Sequence, residues 1–264
     1  MERLSLFILL ATIFSAICCN ASSIEHGGLP LPIHPIRPKS GSGGELLDGI
    51  SCNSWRLAVE TNNLRNWKTV PAECGDYVGH YLLGQYYRQD SRYVTLEAAK
   101  YGESINRTRD GKDIWVFDID ETTLSNVPYY ATHGFGIQPY NDTSFNAWVD
   151  TGKAPALPES LVLYNRLSSL GFKVVFLTGR AEMRREVTRK NLRAAGYRNW
   201  EKLLLRQPSD AHKPAVVFKS EQRAKLVKQG YRIQGNIGDQ WSDILGTDIG
   251  SRTFKLPDPV YYIS

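Results

Sequence analysis

From Lys112 onward the chain alternates short apolar runs with stretches whose apolar residues recur at helical spacing. The order is "IWVFDI", "ESLVLYNRLSSLG", "FKVVFLT", "AEMRREVTRKNLRAAG", "KLLLR", "SEQRAKLVKQG", "YRIQGNIG" and "RTFKLP", reading as strands and helices in turn. Such alternation specifies an α/β fold with a mainly parallel sheet. Ligands of such sheets bind at the carboxyl ends of the strands, so the polar residues closing each apolar run should make chemical sense together.

Those residues are Asp118 and Asp120 after "WVF", Thr178-Gly179-Arg180 after "VVFL", and Asp239 with Asp243 after "IQGNIG". Lys219 follows "AVVF" and is read as opening a helix, where an anion is favoured; Lys213 competes with it for the same role. Carboxylates gathered at one point repel unless a cation joins them, and an oxygen-only ligand set favours a hard ion such as Mg2+. A lysine and a hydroxyl beside such an ion suit a phosphoryl group. Two carboxylates one residue apart can then divide nucleophilic attack from proton transfer.

Two plainer readings of "DIDETTLSN" fit less well. A calcium loop would begin at Asp118, Asp120 and Thr122, but position 6 is Thr123 where Gly is needed and position 12 is Tyr129 where Glu is needed. A helix cap explains Asp120 or Thr122 alone, but not the matched residues after the later strands.

With "DIDET", "LTGR", the lysine of "FKSE" and "GDQWSD" in order, the chain resembles the haloacid dehalogenase-like phosphohydrolases, and more narrowly the plant acid phosphatase and vegetative storage protein family. The resemblance implies an α/β, Rossmann-like parallel sheet flanked by helices, with a helical N-terminal module and a small insertion after the first strand. It implies hydrolysis of small phosphate monoesters through an aspartyl-phosphate. Asp118 would be the nucleophile and Asp120 the acid and base. Mg2+ would be held by Asp118, the backbone carbonyl of Asp120 and Asp239, with Asp243 nearby; Thr178, Gly179 and Lys219 would bind phosphate. Some storage proteins of that family have lost the first aspartate, which is present here as Asp118. A storage protein of weak or no activity is the alternative.

The start, "MERLSLFILLATIFSAICCNASS", has the form of a secretory signal peptide, expected over residues 1–22. Residues 23–46 read as a flexible arm rich in Pro, Gly and Ser, 47–110 as a helical module, and 111–264 as the phosphatase core. Cleavage leaves Cys52 and Cys74, which are expected to pair in an oxidising compartment. Sequons at Asn106 and Asn141 fit glycosylation there. The expected location is outside the cell or in a vacuole, with no stable membrane anchor; a homodimer is compatible with the chain.

Other classes fit poorly. The charged run Arg184 to Arg193 lacks interleaved aromatics and reads as a solvated helix face, so no nucleic-acid partner is expected. Five scattered histidines, none in an Arg-His-Gly context, disfavour histidine-nucleophile and dinuclear metal phosphatases. Tyr77, Tyr81, Tyr86 and Tyr87 read as a packed helix face. Tyr129, Tyr130, Phe135 and Trp148, between the first two motifs, are candidates for the mouth that contacts the leaving group, or for packing against the N-terminal helices.

Overall fold

The computed structural model describes residues 46, 47 and 50–263. The expected signal peptide and almost all of the arm lie outside the described residues. Five strands form the main sheet: β3 (Asp113–Phe117), β4 (Lys173–Ala181), β5 (Lys202–Arg206), β6 (Arg232–Gly238) and β7 (Arg252–Lys255). Their order is β5-β4-β3-β6-β7, and every neighbouring pair is parallel. A separate short hairpin joins β1 (Leu46–Leu47) to β2 (Ile50–Ser51).

β3 is buried along its whole length, as a central parallel strand covered on both faces must be. Its alternate residues feed two cores. Trp115 and Phe117 join Phe176, Leu167 and Tyr197 on one face, whereas Ile114 and Val116 join Val175, Leu177 and Phe218 on the other. Burying side chains of this size contributes roughly 1.5–3 kcal/mol each. Trp115 reaches its place only because residue 235 is glycine: a Cβ there would lie 2.4 Å from the indole ring. The ring then stacks on Phe254 of β7, with centroids 5.5 Å apart.

Helices Cys52–Glu60, Gly75–Leu83 and Gln85–Ser104 precede the sheet. Their Val78, Tyr87 and Ala98 belong to the same hydrophobic cluster as Trp115, so the N-terminal helices share the core of the sheet. Cys52 and Cys74 are joined by a disulfide that ties the first helix to the start of the second. Of the tyrosine stripe, Tyr81 and Tyr87 are buried and in edge contact at 5.8 Å, but Tyr86 is 57% exposed, because Gly84 breaks the helix and turns the stripe. Among the described residues no helix is long and apolar enough to cross a membrane.

Two element boundaries differ from the sequence reading. The helix expected from Ser220 begins at Ala215, so "AVVF" is its first turn and Lys219 sits inside it, one turn from its start. Pro214, with φ −53° and ψ 149°, separates the turns of residues 208–213 from the first turn of this helix. Between β3 and the helix Pro158–Ser169 lie two short helices, Val127–Tyr130 and Asp142–Asp150, the second capped by the Asn141 side chain accepting from Ser144 N at 2.9 Å.

Candidate active site

β3 and β6 are neighbours, and each ends in an aspartate: Asp118 follows Phe117, and Asp239 follows Gly238. Asp118 N donates to Ile237 O at 3.0 Å, so the pairing of the two strands holds both backbones side by side at the edge of the site. Asp243 returns to this edge through a capping turn in which Gln240 N donates to its Oδ2 at 2.9 Å. Gly238 makes room for it: a Cβ at 238 would lie 2.3 Å from that same oxygen.

Lys219 Nζ lies 2.6 Å from Asp118 Oδ1 and also donates to Asp243 Oδ1. One carboxylate oxygen from each of Asp118, Asp239 and Asp243 lies within 4.8 Å of the other two, and all three residues are buried. Burial, and then the charge of Asp243, push Asp118 well above the usual carboxylate range. The same causes push Asp239 up to about 6. Burial opposes the charged Lys219, but Asp118 and Asp243 outweigh it and raise its pKa. One ammonium among three buried carboxylates leaves negative charge uncompensated. The donor set is all oxygen, so the residues fit a hard divalent cation.

Asp120 stands apart from this trio. Arg180 grips it with Nη2 2.7 Å from Oδ1 and Nε 3.0 Å from Oδ2, and Asn126 Nδ2 donates to Oδ1 at 2.8 Å. Burial raises the Asp120 pKa, but Arg180 outweighs it, and the net direction is downward. The Asn126 carboxamide accepts from Trp148 Nε1 at 2.8 Å, which links the segment after β3 to this carboxylate.

A ring of polar groups surrounds the cluster. Thr122 Oγ1 donates to Asp239 Oδ1 at 3.0 Å, and Gln240 Nε2 donates to Asp239 Oδ2 at 2.8 Å. Glu121 accepts from Asn126 N at 2.5 Å and from Tyr261 Oη at 3.0 Å. Burial and the neighbouring Asp120 push Glu121 up to about 8. Sequence reasoning gave no role to Asn126, Glu121, Gln240, Asp258 or Tyr261. Glu121, Asn126 and Gln240 lie inside or beside the motifs and could have been suspected; Asp258 and Tyr261 follow the last strand and carry no motif signal.

Thr178, Gly179 and Arg180 lie within β4, past a break in its pairing with β5 between Leu177 and Ala181. Thr178 is fully buried and accepts from Arg180 N at 3.1 Å, whereas Gly179 is exposed with open space beside it. Lys213 is held elsewhere, by Asp210 at 2.9 Å and Glu221 at 2.5 Å. The four mouth candidates separate. Tyr129 and Tyr130 are buried, and Phe135 packs on the helix Gly75–Leu83, where a Cβ at Gly79 would come within 2.8 Å of its ring. Trp148 donates from its side chain to the Asn126 carboxamide that holds Asp120, whereas Tyr129 and Tyr130 reach Asn126 O only through their backbone N–H groups, at 2.9 and 3.1 Å. Asn106 and Asn141 are both exposed.

The chain has relatives of known name among plant proteins. The chain is 45% identical over 261 residues to acid phosphatase 1 of Solanum lycopersicum, covering 99% of each. It is 46% identical over 265 residues to the stem 28 kDa glycoprotein of Glycine max, covering all of both. It is 40% identical over 271 residues to vegetative storage protein 1 of Arabidopsis thaliana, covering 98% of this chain and 97% of that one. In fold it is similar to the class C acid phosphatase from Bacillus anthracis, with a TM-score of 0.61 and 22% identity over 72% of this chain and 86% of that one. The profile of the HAD superfamily, subfamily IIIB (acid phosphatase), matches residues 39–264, and the chain belongs to that family.

Proposed function

We propose that the protein hydrolyses phosphate monoesters with Asp118 as nucleophile and Asp120 as the proton-transfer group. The observation that carries this reading is the Lys219 ammonium 2.6 Å from Asp118, inside a trio of buried carboxylates at the carboxyl ends of β3 and β6. Asp118, Asp239 and the backbone carbonyl of Asp120 would hold Mg2+, with Asp243 beside them; when bound, the ion supplies positive charge against the phosphoryl oxygens. Lys219 and Thr178 bind those oxygens.

An Asp118 oxygen forms a bond to phosphorus as the bond from phosphorus to the alcohol oxygen breaks, and Asp120 gives the alcohol its proton. Water then attacks the aspartyl-phosphate. Asp120 takes the water proton, and phosphate leaves with Asp118 restored. Arg180 favours the ionised Asp120 that this second half requires.

Use as a storage protein is the second reading, supported by the similarity to vegetative storage protein 1. Hydrolysis of p-nitrophenyl phosphate across pH 4 to 8, with and without Mg2+, in the mature protein and its Asp118→Asn variant decides between them. Metal-dependent turnover lost in the variant supports the enzyme; equal, negligible rates in both overturn it and leave storage.

We also infer export through the secretory pathway, to the cell exterior or a vacuole. The Cys52–Cys74 disulfide, the exposed sequons and the leader-like start support this. Mass mapping of the protein purified from its own tissue, finding Cys52 and Cys74 alkylatable and residues 1–22 retained, would overturn it.

A further inference from the structure

Residues 258–263 run across the acidic cluster and are fixed on both sides. The Val260 carbonyl approaches Gly136 so closely that a Cβ there would lie 2.3 Å from its oxygen. The Tyr262 ring contacts Trp67 at 6.4 Å, and the Tyr261 ring contacts Tyr130 at 5.9 Å. From this anchored segment the Tyr261 hydroxyl reaches 3.0 Å from Glu121 Oε2 and 3.4 Å from Asp239 Oδ2.

The same segment dictates which end of the Gln240 carboxamide faces Asp239. Ile263 N donates to Gln240 Oε1 at 2.9 Å, and Asp258 Oδ2 accepts from Gln240 Nε2 at 2.7 Å. Both contacts require the NH2 end to lie toward the carboxylates, where it donates to Asp239 Oδ2 at 2.8 Å. A carboxamide turned the other way would set its carbonyl oxygen against Asp239, two acceptors in contact.

We propose that Asp258–Ile263 is a strap that positions Asp239 for a divalent cation, with Gln240 and Tyr261 as positioning residues that do not themselves touch the ion. The inference rests on the assignment of Asp239 as a metal ligand under the proposed function. Partners of this outer kind typically change metal affinity by about 10–100-fold.

The test is calorimetric titration of the mature protein with Mg2+, for wild type, Tyr261→Phe, and a chain ending at Tyr262, which lacks the Ile263 donor. Expected are Mg2+ dissociation constants raised about 10-fold or more in both variants. The KM for p-nitrophenyl phosphate should be unchanged, with kcat recovered at saturating Mg2+. Gly136→Ala, which displaces Val260 without touching the cluster, should reproduce the loss, whereas Tyr262→Phe should not. Dissociation constants within about twofold of wild type in Tyr261→Phe and the truncated chain overturn the strap, as does a wild type that binds no Mg2+. Failure of one variant to fold, judged by circular dichroism, leaves the other to decide. A wild type that binds Mg2+ without turning over substrate overturns the proposed hydrolysis and leaves the strap standing.

Discussion

Arg180 and Asp120 form a two-point ion pair, with Nη2 2.7 Å from Oδ1 and Nε 3.0 Å from Oδ2, in which the guanidinium is almost wholly enclosed. Because Arg180 holds the Asp120 pKa down, the base form persists into acid solution and is lost only as pH falls through that lowered value. Removing the guanidinium leaves burial to push the pKa up. In Arg180→Met the acid limb of the kcat profile should therefore move to higher pH, and the loss of one partner of a buried pair should cost on the order of 3 kcal/mol of stability. A pH profile with an unmoved acid limb would separate Arg180 from the proton chemistry.

Asp120→Asn isolates the two halves of the reaction. p-Nitrophenolate is a good leaving group and needs little protonation, but the water that attacks the aspartyl-phosphate still needs a base. Rapid mixing should show a burst of nitrophenol close to one per active site, followed by turnover slowed roughly 10²–10⁴-fold. Absence of a burst, with release of the first nitrophenol itself slowed to the turnover rate, would make the first step limiting and count against Asp120 as the base of the second step.

Gly235→Ala should destabilise the fold by roughly 1–3 kcal/mol, since the added carbon meets the fully buried Trp115 ring at 2.4 Å and neither strand can withdraw without breaking the sheet. Urea unfolding measures this. The double variant with Trp115→Phe should recover part of the loss, because the smaller ring vacates the contact.

Arg232 joins Asp113 at 2.8 Å and Asp110 at 2.5 Å beside the start of β3. Burial raises Asp113, but Arg232 and Gln234 outweigh it, so its folded pKa lies below the ordinary carboxylate value. Stability from this group is present above about pH 4 and is lost as pH falls through the folded pKa. Arg232→Gln should flatten that acid fall in unfolding free energy by lowering stability at pH 7 more than in acid, where Asp113 is protonated in both. An equally steep acid fall in the variant would count against the linkage.

The sheet was readable because each strand repeats an apolar pattern and each helix between strands repeats another. "AVVF" failed for a physical reason: a four-residue apolar run is equally good as a buried strand or as the buried side of a helix turn, and only Pro214 before it distinguishes them. At the site, Asp118, Lys219 and Asp239 were nameable because each stands at an abrupt change from apolar to polar residues, and Asp243 because it follows Asp239 within the same motif. Arg180 stands within the "LTGR" motif, yet its grip on Asp120 depends on the placement of β4 beside β3. Tyr261 and Asp258 were invisible, since nothing local marks a tail that becomes functional only by lying across another loop.

Lys219 and Asp118 meet across 101 residues of chain, and Asp243 joins them only once β6 has docked beside β3. No fragment ending before β6 contains both strand ends, and loop closure over such distances is slow compared with forming any single helix. Recovery of the site during refolding therefore clocks the pairing of β6 with β3, whereas helical signals would return earlier and say nothing about it.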